Sequence, residues 1–160
     1  DSSKTLRAWS TIGDIWHRKG DAKKAYKAYD KALKINPNYI YVLNNYAYYL
    51  SMEGRHLKKA YEMSKKTIEA EPDNSTYLAT FGWILYLQGK APVAKPFFKH
   101  AMLYGGKDSA VILDHYAEVL YELKEYDLAF VYWDLALQKK DEDLPELQKK
   151  VEARKKAAGR

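Results

Sequence analysis

One arrangement of small and large residues recurs four times along this 160-residue chain, and the recurrence leaves few folds open to it. In the first copy Trp9, Ile12, Gly13 and Trp16 follow at spacings of three, one and three, which sets them on one face of a helix. Gly20 suits the left-handed conformation that commonly closes a helix, and Asp21 offers a side-chain oxygen to cap the next one. Ala25, Tyr29, Ala32 and Leu33 then form a second stripe, with Lys23, Lys24, Lys27, Lys31 and Lys34 on the solvated side, and Pro37 closes the unit. The copy therefore reads as two helices folded on each other.

The second copy places Leu43, Tyr46, Ala47 and Leu50 on its first helix and Ala60, Ser64, Thr67 and Ile68 on its second, with Asn38 as the expected cap. Its turn holds one extra residue between Gly54 and Ala60, so Pro37 and Pro72 stand 35 apart. The third copy runs through Leu78, Phe81, Gly82, Leu85, Gly89, Ala94, Phe98 and Ala101. Pro92 fits the first turn of its second helix, whereas Pro96 lies far enough in to predict a local irregularity. The fourth copy gives Leu113, Tyr116, Ala117, Leu120, Ala129, Trp133, Ala136 and Leu137, with Lys124 at the place of the turn glycine. After Asp141 the pattern stops. Asp143 and Glu146 have capping-box spacing, and Leu147 with Val151 forms a narrow apolar stripe whose surrounding basic run, 149–156, reads as a solvated face.

These residues resemble the tetratricopeptide repeat, whose signature is W-x2-L-G-x2-Y, then A-x3-F, then A and P, over about 34 residues. The stretches VLNNYAYYL at 42–50, FGWILYLQGK at 81–90 and LDHYAEVLYEL at 113–123 are similar to those of bacterial members. The resemblance spans roughly 6–137 and implies an all-α, right-handed α-solenoid in a single domain over 1–160. Its four hairpins are expected at 6–37, 38–72, 73–107 and 108–140, with a capping helix at 143–157. It also implies a non-enzymatic protein–protein interaction module or scaffold. Some members clamp a C-terminal carboxylate with cations from three successive repeats. Here Asn45 matches, but Ser10, Thr76 and Thr80 stand where the cations would be, which points to an internal segment or a folded surface as ligand.

Composition narrows the chemistry. With 47% hydrophobic residues and no apolar run near the roughly 18 of a membrane span, the chain is expected to be soluble. It has no cysteine, which removes disulfides and thiolate sites and leaves bacterial cytoplasm and periplasm or cell envelope equally open. It begins at Asp1, which fits an excised domain or a processed product. His17, His56, His100 and His115 are scattered; Asp114, His115 and Glu118 are the strongest grouping, and their plain reading is an exposed polar face. No catalytic residue, metal ligand or cofactor is expected, and Gly105-Gly106 lacks the context of a phosphate loop.

What remains is surface. The helical phase of each first helix turns a set of residues to the concave side of the superhelix. The expected ligand-binding residues are Tyr41, Asn44, Asn45, Tyr48, Thr80, Trp83, Tyr86, Asp114, His115 and Glu118, with Asp14 and His17 at matching places in the first copy. Aromatic rings supply area and asparagines satisfy a peptide backbone. Alternatively, Tyr48, Trp83 and Tyr86 pack between neighbouring first helices. Charge is uneven: 1–37 carries nine basic and four acidic residues, and 108–138 one basic and seven acidic. The acidic end argues against nucleic acid and for another protein or peptide as partner. Self-association and additional upstream repeats stay open, as do a spacer segment of a longer repeat protein and a single-stranded RNA-binding repeat.

Overall fold

A computed structural model describes residues 2–139 and 144–160, which hold nine α-helices, one short 3-10 turn and no strand. The helices are α1 (Ser2–Arg18), α2 (Ala22–Ile35), α3 (Ile40–Met52), α4 (Leu57–Ala70), α5 (Ser75–Leu87), α6 (Ala91–Leu103), α7 (Ala110–Glu122), α8 (Tyr126–Leu137) and α9 (Leu144–Ala157). They pair as α1–α2, α3–α4, α5–α6 and α7–α8, so each copy of the pattern is one helical hairpin. The chain divides into two compact units, 1–71 with the first two hairpins and 72–160 with the last two and α9.

The contact inside each hairpin follows the small–large spacing. A Cβ on Gly13 would lie 2.4 Å from the Tyr29 ring, and one on Gly82 would lie 2.8 Å from Phe98. Glycine stands there because an aromatic of the facing helix takes the space. Tyr29, Ser64, Phe98 and Trp133 occupy the same place in the four second helices, and all are fully buried. In the second hairpin the inner residue is only serine and the glycine position holds Ala47; the Ser64 hydroxyl and the Asn44 amide oxygen have no hydrogen-bond partner among the described residues.

Local signals act mostly as their chemistry suggests, with three exceptions. Gly20 adopts φ +82° and the Asp21 carboxylate accepts from the Lys24 amide at 3.0 Å. Asn74 and Ser109 cap α5 and α7 in the same way. Lys124, at the place of a turn glycine, takes φ +63° and carries the strain that glycine would avoid. The first exception is Asn38, which does not cap α3: Tyr39 precedes that helix, and the Asn38 amide is bonded to the Asn36 side chain instead. The second is α1, which begins at Ser2, a turn before the apolar pattern. The third is α6, which continues unbroken through Pro96. Proline there removes the single bond back to Pro92, while buried Ala94, Phe98 and Ala101 keep the helix on its partner. In α9 Val151 is buried against the rest of its unit, and the proposed cap Asp143 lies outside the described residues.

Candidate functional site

In the first unit the outward face of the first helices is organised by a carboxylate. Asp14 of α1 accepts from the Tyr29 hydroxyl of α2 and from two groups of α3, the Tyr41 hydroxyl at 2.8 Å and the Asn45 amide at 3.2 Å. Burial and the Asp14 bond push the Tyr29 hydroxyl well above the usual phenol range, so it remains a donor. Beside this hub the His17 and Tyr49 rings stack at 3.3 Å. Tyr41 is 46% exposed, Tyr48 is half-buried with its ring 6.0 Å from Tyr49, and Asn44 is buried.

In the second unit the matching face is aromatic. Trp83 of α5 lies flat on His115 of α7, with centroids 3.7 Å apart and planes at 6°, and stacks on Tyr86 at 4.8 Å. The ring of His115 thus spans neighbouring first helices. Burial lowers its pKa to about 4; Asp114 pulls the value back up and Lys150 pushes it further down. Thr80 is buried, and its hydroxyl donates to the Thr76 carbonyl one turn earlier.

The acidic residues of this unit are held by α9. Lys150 reaches Asp114 at 2.6 Å and Glu118 at 3.4 Å, and Arg154 grips both Glu118 oxygens at 2.9 and 3.2 Å. The Trp133 indole donates to Asp114 at 2.7 Å, so this carboxylate serves the hairpin core and α9 at once. Arg154 also lies 4.9 Å from the Tyr121 ring and 5.5 Å from Trp133. The run 149–156 is therefore not wholly a solvated face: Lys150 and Arg154, four apart, are turned onto Asp114 and Glu118, also four apart. That paired spacing of four, cations on one helix and carboxylates on the other, is the signal in the sequence that marks the contact. The acidic excess of 108–138 is offset locally, since 144–160 contains six basic residues and two acidic ones.

Of the ten residues expected to bind a ligand, Tyr41, Asn45, Trp83 and His115 stand at first-helix junctions, while Asp114 and Glu118 face α9. The alternative of packing between neighbouring first helices describes the Trp83–His115 stack. Among the described residues no group of three or more His, Asp or Glu side chains is placed to hold a metal ion, and no helix is long and apolar enough to cross a membrane.

Comparison with known proteins agrees with this architecture. A Pseudomonas aeruginosa PilF structure matches with a TM-score of 0.71 and 22% identity, over 96% of this chain and 72% of that one. YrrB, described as a TPR protein with an unusual peptide-binding site, matches with a TM-score of 0.66 and 14% identity, over 94% of this chain and 76% of that one. A mutant Thermobaculum terrenum O-GlcNAc transferase matches with a TM-score of 0.69 and 18% identity over 75% of this chain, which spans only 23% of that protein. At these identities the likeness is one of fold. Among curated proteins none matches in sequence. The model of the cytochrome c-type biogenesis protein H TPR domain matches residues 1–111, and with its glycine-packed hairpins the chain belongs to that tetratricopeptide-repeat family.

Proposed function

We propose that this chain is a non-enzymatic protein-binding module of cytochrome c-type biogenesis whose two units each hold an extended polypeptide segment on the faces of their first helices. The observation that carries the reading is where the aromatic residues are spent. Tyr29, Phe98 and Trp133 at the inner position of the second helices, and Tyr46, Phe81 and Tyr116 on the first helices, are buried in the hairpins. Four other first-helix aromatics, Tyr41, Tyr48, Trp83 and Tyr86, keep part of their surface outside the core. Half-exposed rings fixed by stacking are rigid anchors that lose little entropy on binding. Asn45 would supply a backbone hydrogen bond in the first unit, while Asn44 and Thr80 are buried and would act only as packing behind the face. Asp114 and Glu118 form an acidic wall that a ligand reaches only by competing with Lys150 and Arg154. The pathway is our inference from the matching family's description.

The test uses a tiled peptide library spanning the c-type cytochrome polypeptides of the source organism, with affinities measured for the wild type, Tyr48→Ala, Trp83→Ala and the second-helix control Lys27→Ala. Loss of one anchor should weaken binding by about 2 kcal/mol, roughly thirtyfold, with helicity preserved. If Lys27→Ala weakens binding while both aromatic variants stay at wild-type affinity, the first-helix faces are not the site.

A further inference from the structure

The turn between α3 and α4 differs from the other three hairpin turns by one residue. Five positions separate Gly20 from Ala25, Gly89 from Ala94 and Lys124 from Ala129, whereas six separate Gly54 from Ala60. The extra residue is accommodated by a second left-handed position, His56 at φ +51°, after Gly54 at +66°. In the second unit the matching turn is tied to the preceding second helix by Lys95, whose ammonium lies 2.8 Å from both oxygens of Glu125. In the first unit Tyr26 stands where Lys95 would and Arg55 where Glu125 would, so that ion pair has no equivalent. A cleft of about 700 Å³ opens there instead.

The lining of this cleft has a definite chemistry. Its floor is apolar and aromatic: the Tyr26 and Tyr46 rings stack at 4.9 Å beside Leu50. Its rim carries the cations Lys23, Arg55 and Lys59, contributed by α2, the turn and α4, with His56 beside them. Lys59 is held against the wall, donating to the Tyr46 hydroxyl at 3.0 Å with its ammonium 4.6 Å from the ring centre. Glu53 is the carboxylate of the lining, and it is engaged by the Tyr26 hydroxyl at 2.6 Å and by Arg55 at 3.9 Å. Lys23, Arg55 and Lys59 against Glu53 leave two positive charges unbalanced in the lining, with Asp30 acting on the Tyr46 hydroxyl from outside it. A shallower cleft of about 560 Å³ shares His56 and Lys59 and continues along α4 with Lys58, Glu62, Met63 and Lys66, so that three lysines against one carboxylate extend the basic wall.

We infer that this cleft binds an acidic, extended peptide segment, with side-chain carboxylates on Lys23, Arg55 and Lys59 and an apolar side chain laid on the Tyr26–Tyr46 floor. The site is separate from the first-helix faces proposed above and stands or falls without them. An elongated wall with an apolar floor suits a polypeptide, whose spaced carboxylates and apolar side chain match the cationic rim and the aromatic floor together.

Calorimetric titration of the whole chain with the blocked peptide Asp-Glu-Phe-Asp-Glu tests the assignment. Saturable one-to-one binding that weakens at high salt is expected, with no binding of the Asn-Gln-Phe-Asn-Gln counterpart. Lys59→Glu and Lys23→Glu, both at exposed positions, should each reduce affinity roughly tenfold or more. Deletion of His56, which restores the common turn length, should abolish binding in a protein of unchanged helicity, and Trp83→Ala should leave it intact. The inference is overturned by equal affinity for the neutral peptide, by wild-type affinity in the two charge reversals, or by tighter binding of a single-stranded RNA of the same charge.

Discussion

In the first unit a carboxylate occupies the place that an indole fills in the second. Asp14 and Trp83 each stand one residue beyond the glycine that lets their hairpin close, yet Asp14 collects donors from α2 and α3 whereas Trp83 lies flat on His115 of α7. Glu118, at the same place in the fourth copy, is clasped by Lys150 and Arg154 of α9. The repeat fixes where a side chain points but leaves open what it is made of, provided the facing helix supplies its complement. The third case shows the role of α9: with respect to Glu118 it stands where the first helix of another hairpin would. A polar hub and an aromatic stack nevertheless fail differently. Breaking the hub strands buried polar atoms, while breaking the stack mainly exposes area.

The largest effect expected along this comparison lies one layer deeper, at the inner position of the second helices. Trp133→Ala should cost about 3 to 5 kcal/mol, because a fully buried indole leaves a cavity and Asp114 loses a donor. Ser64→Ala, at the equivalent place, should be neutral or stabilising, since its hydroxyl is buried without a partner among the described residues. Chemical denaturation of both variants checks the pair. A destabilisation of Ser64→Ala by more than about 1 kcal/mol would show that its hydroxyl is satisfied, as by a buried water.

A smaller effect separates the hub from the stack. Asp14→Ala strands the Tyr29 hydroxyl in a fully buried place and should cost about 1 to 3 kcal/mol, whereas Tyr41, 46% exposed, can turn to water. Adding Tyr29→Phe removes the stranded group, so the double variant should be more stable than the sum of the two changes implies. Strict additivity in urea unfolding would deny that the Asp14–Tyr29 bond carries the hub.

How much of this was legible in sequence depends on how local the cause is. The hairpins and the closeness at Gly13 and Gly82 were readable because a small residue facing an aromatic leaves a trace at fixed spacing. The Asp21 cap was readable for the same reason. Asn38 misled because two asparagines compete for one short loop and Asn36 takes the bond. Pro96 misled because the tertiary packing of α6 outweighs one lost hydrogen bond. The candidate faces were placed by helical phase, yet their chemistry was not: the partners of Asp14 lie 15 to 31 residues away, and Lys150 lies 36 beyond Asp114.

The finest test of the comparison is set by pH. Both units stack a first-helix histidine on an aromatic ring of the neighbouring first helix, His17 on Tyr49 and His115 on Trp83. Burial lowers the pKa of each, but their charged surroundings differ. Glu53 and Asp14 both pull His17 back up, whereas His115 has Asp114 on one side and Lys150 on the other and falls to about 4. With a folded pKa below the unfolded value of roughly 6.5, His115 stays neutral in the native state while the unfolded chain takes up a proton. Its contribution to stability is therefore full above about pH 6.5, declines as the pH falls, and is lost once the pH passes below about 4. His115→Phe retains a flat ring against Trp83 and removes the titration, so its melting temperature relative to wild type should rise steadily from pH 7 to the folded pKa. His17→Phe should show a shallower rise, because two carboxylates already favour its protonated form. Parallel slopes for the two variants would mean that burial alone sets both histidines and that the contrast in their charged neighbours has no energetic weight.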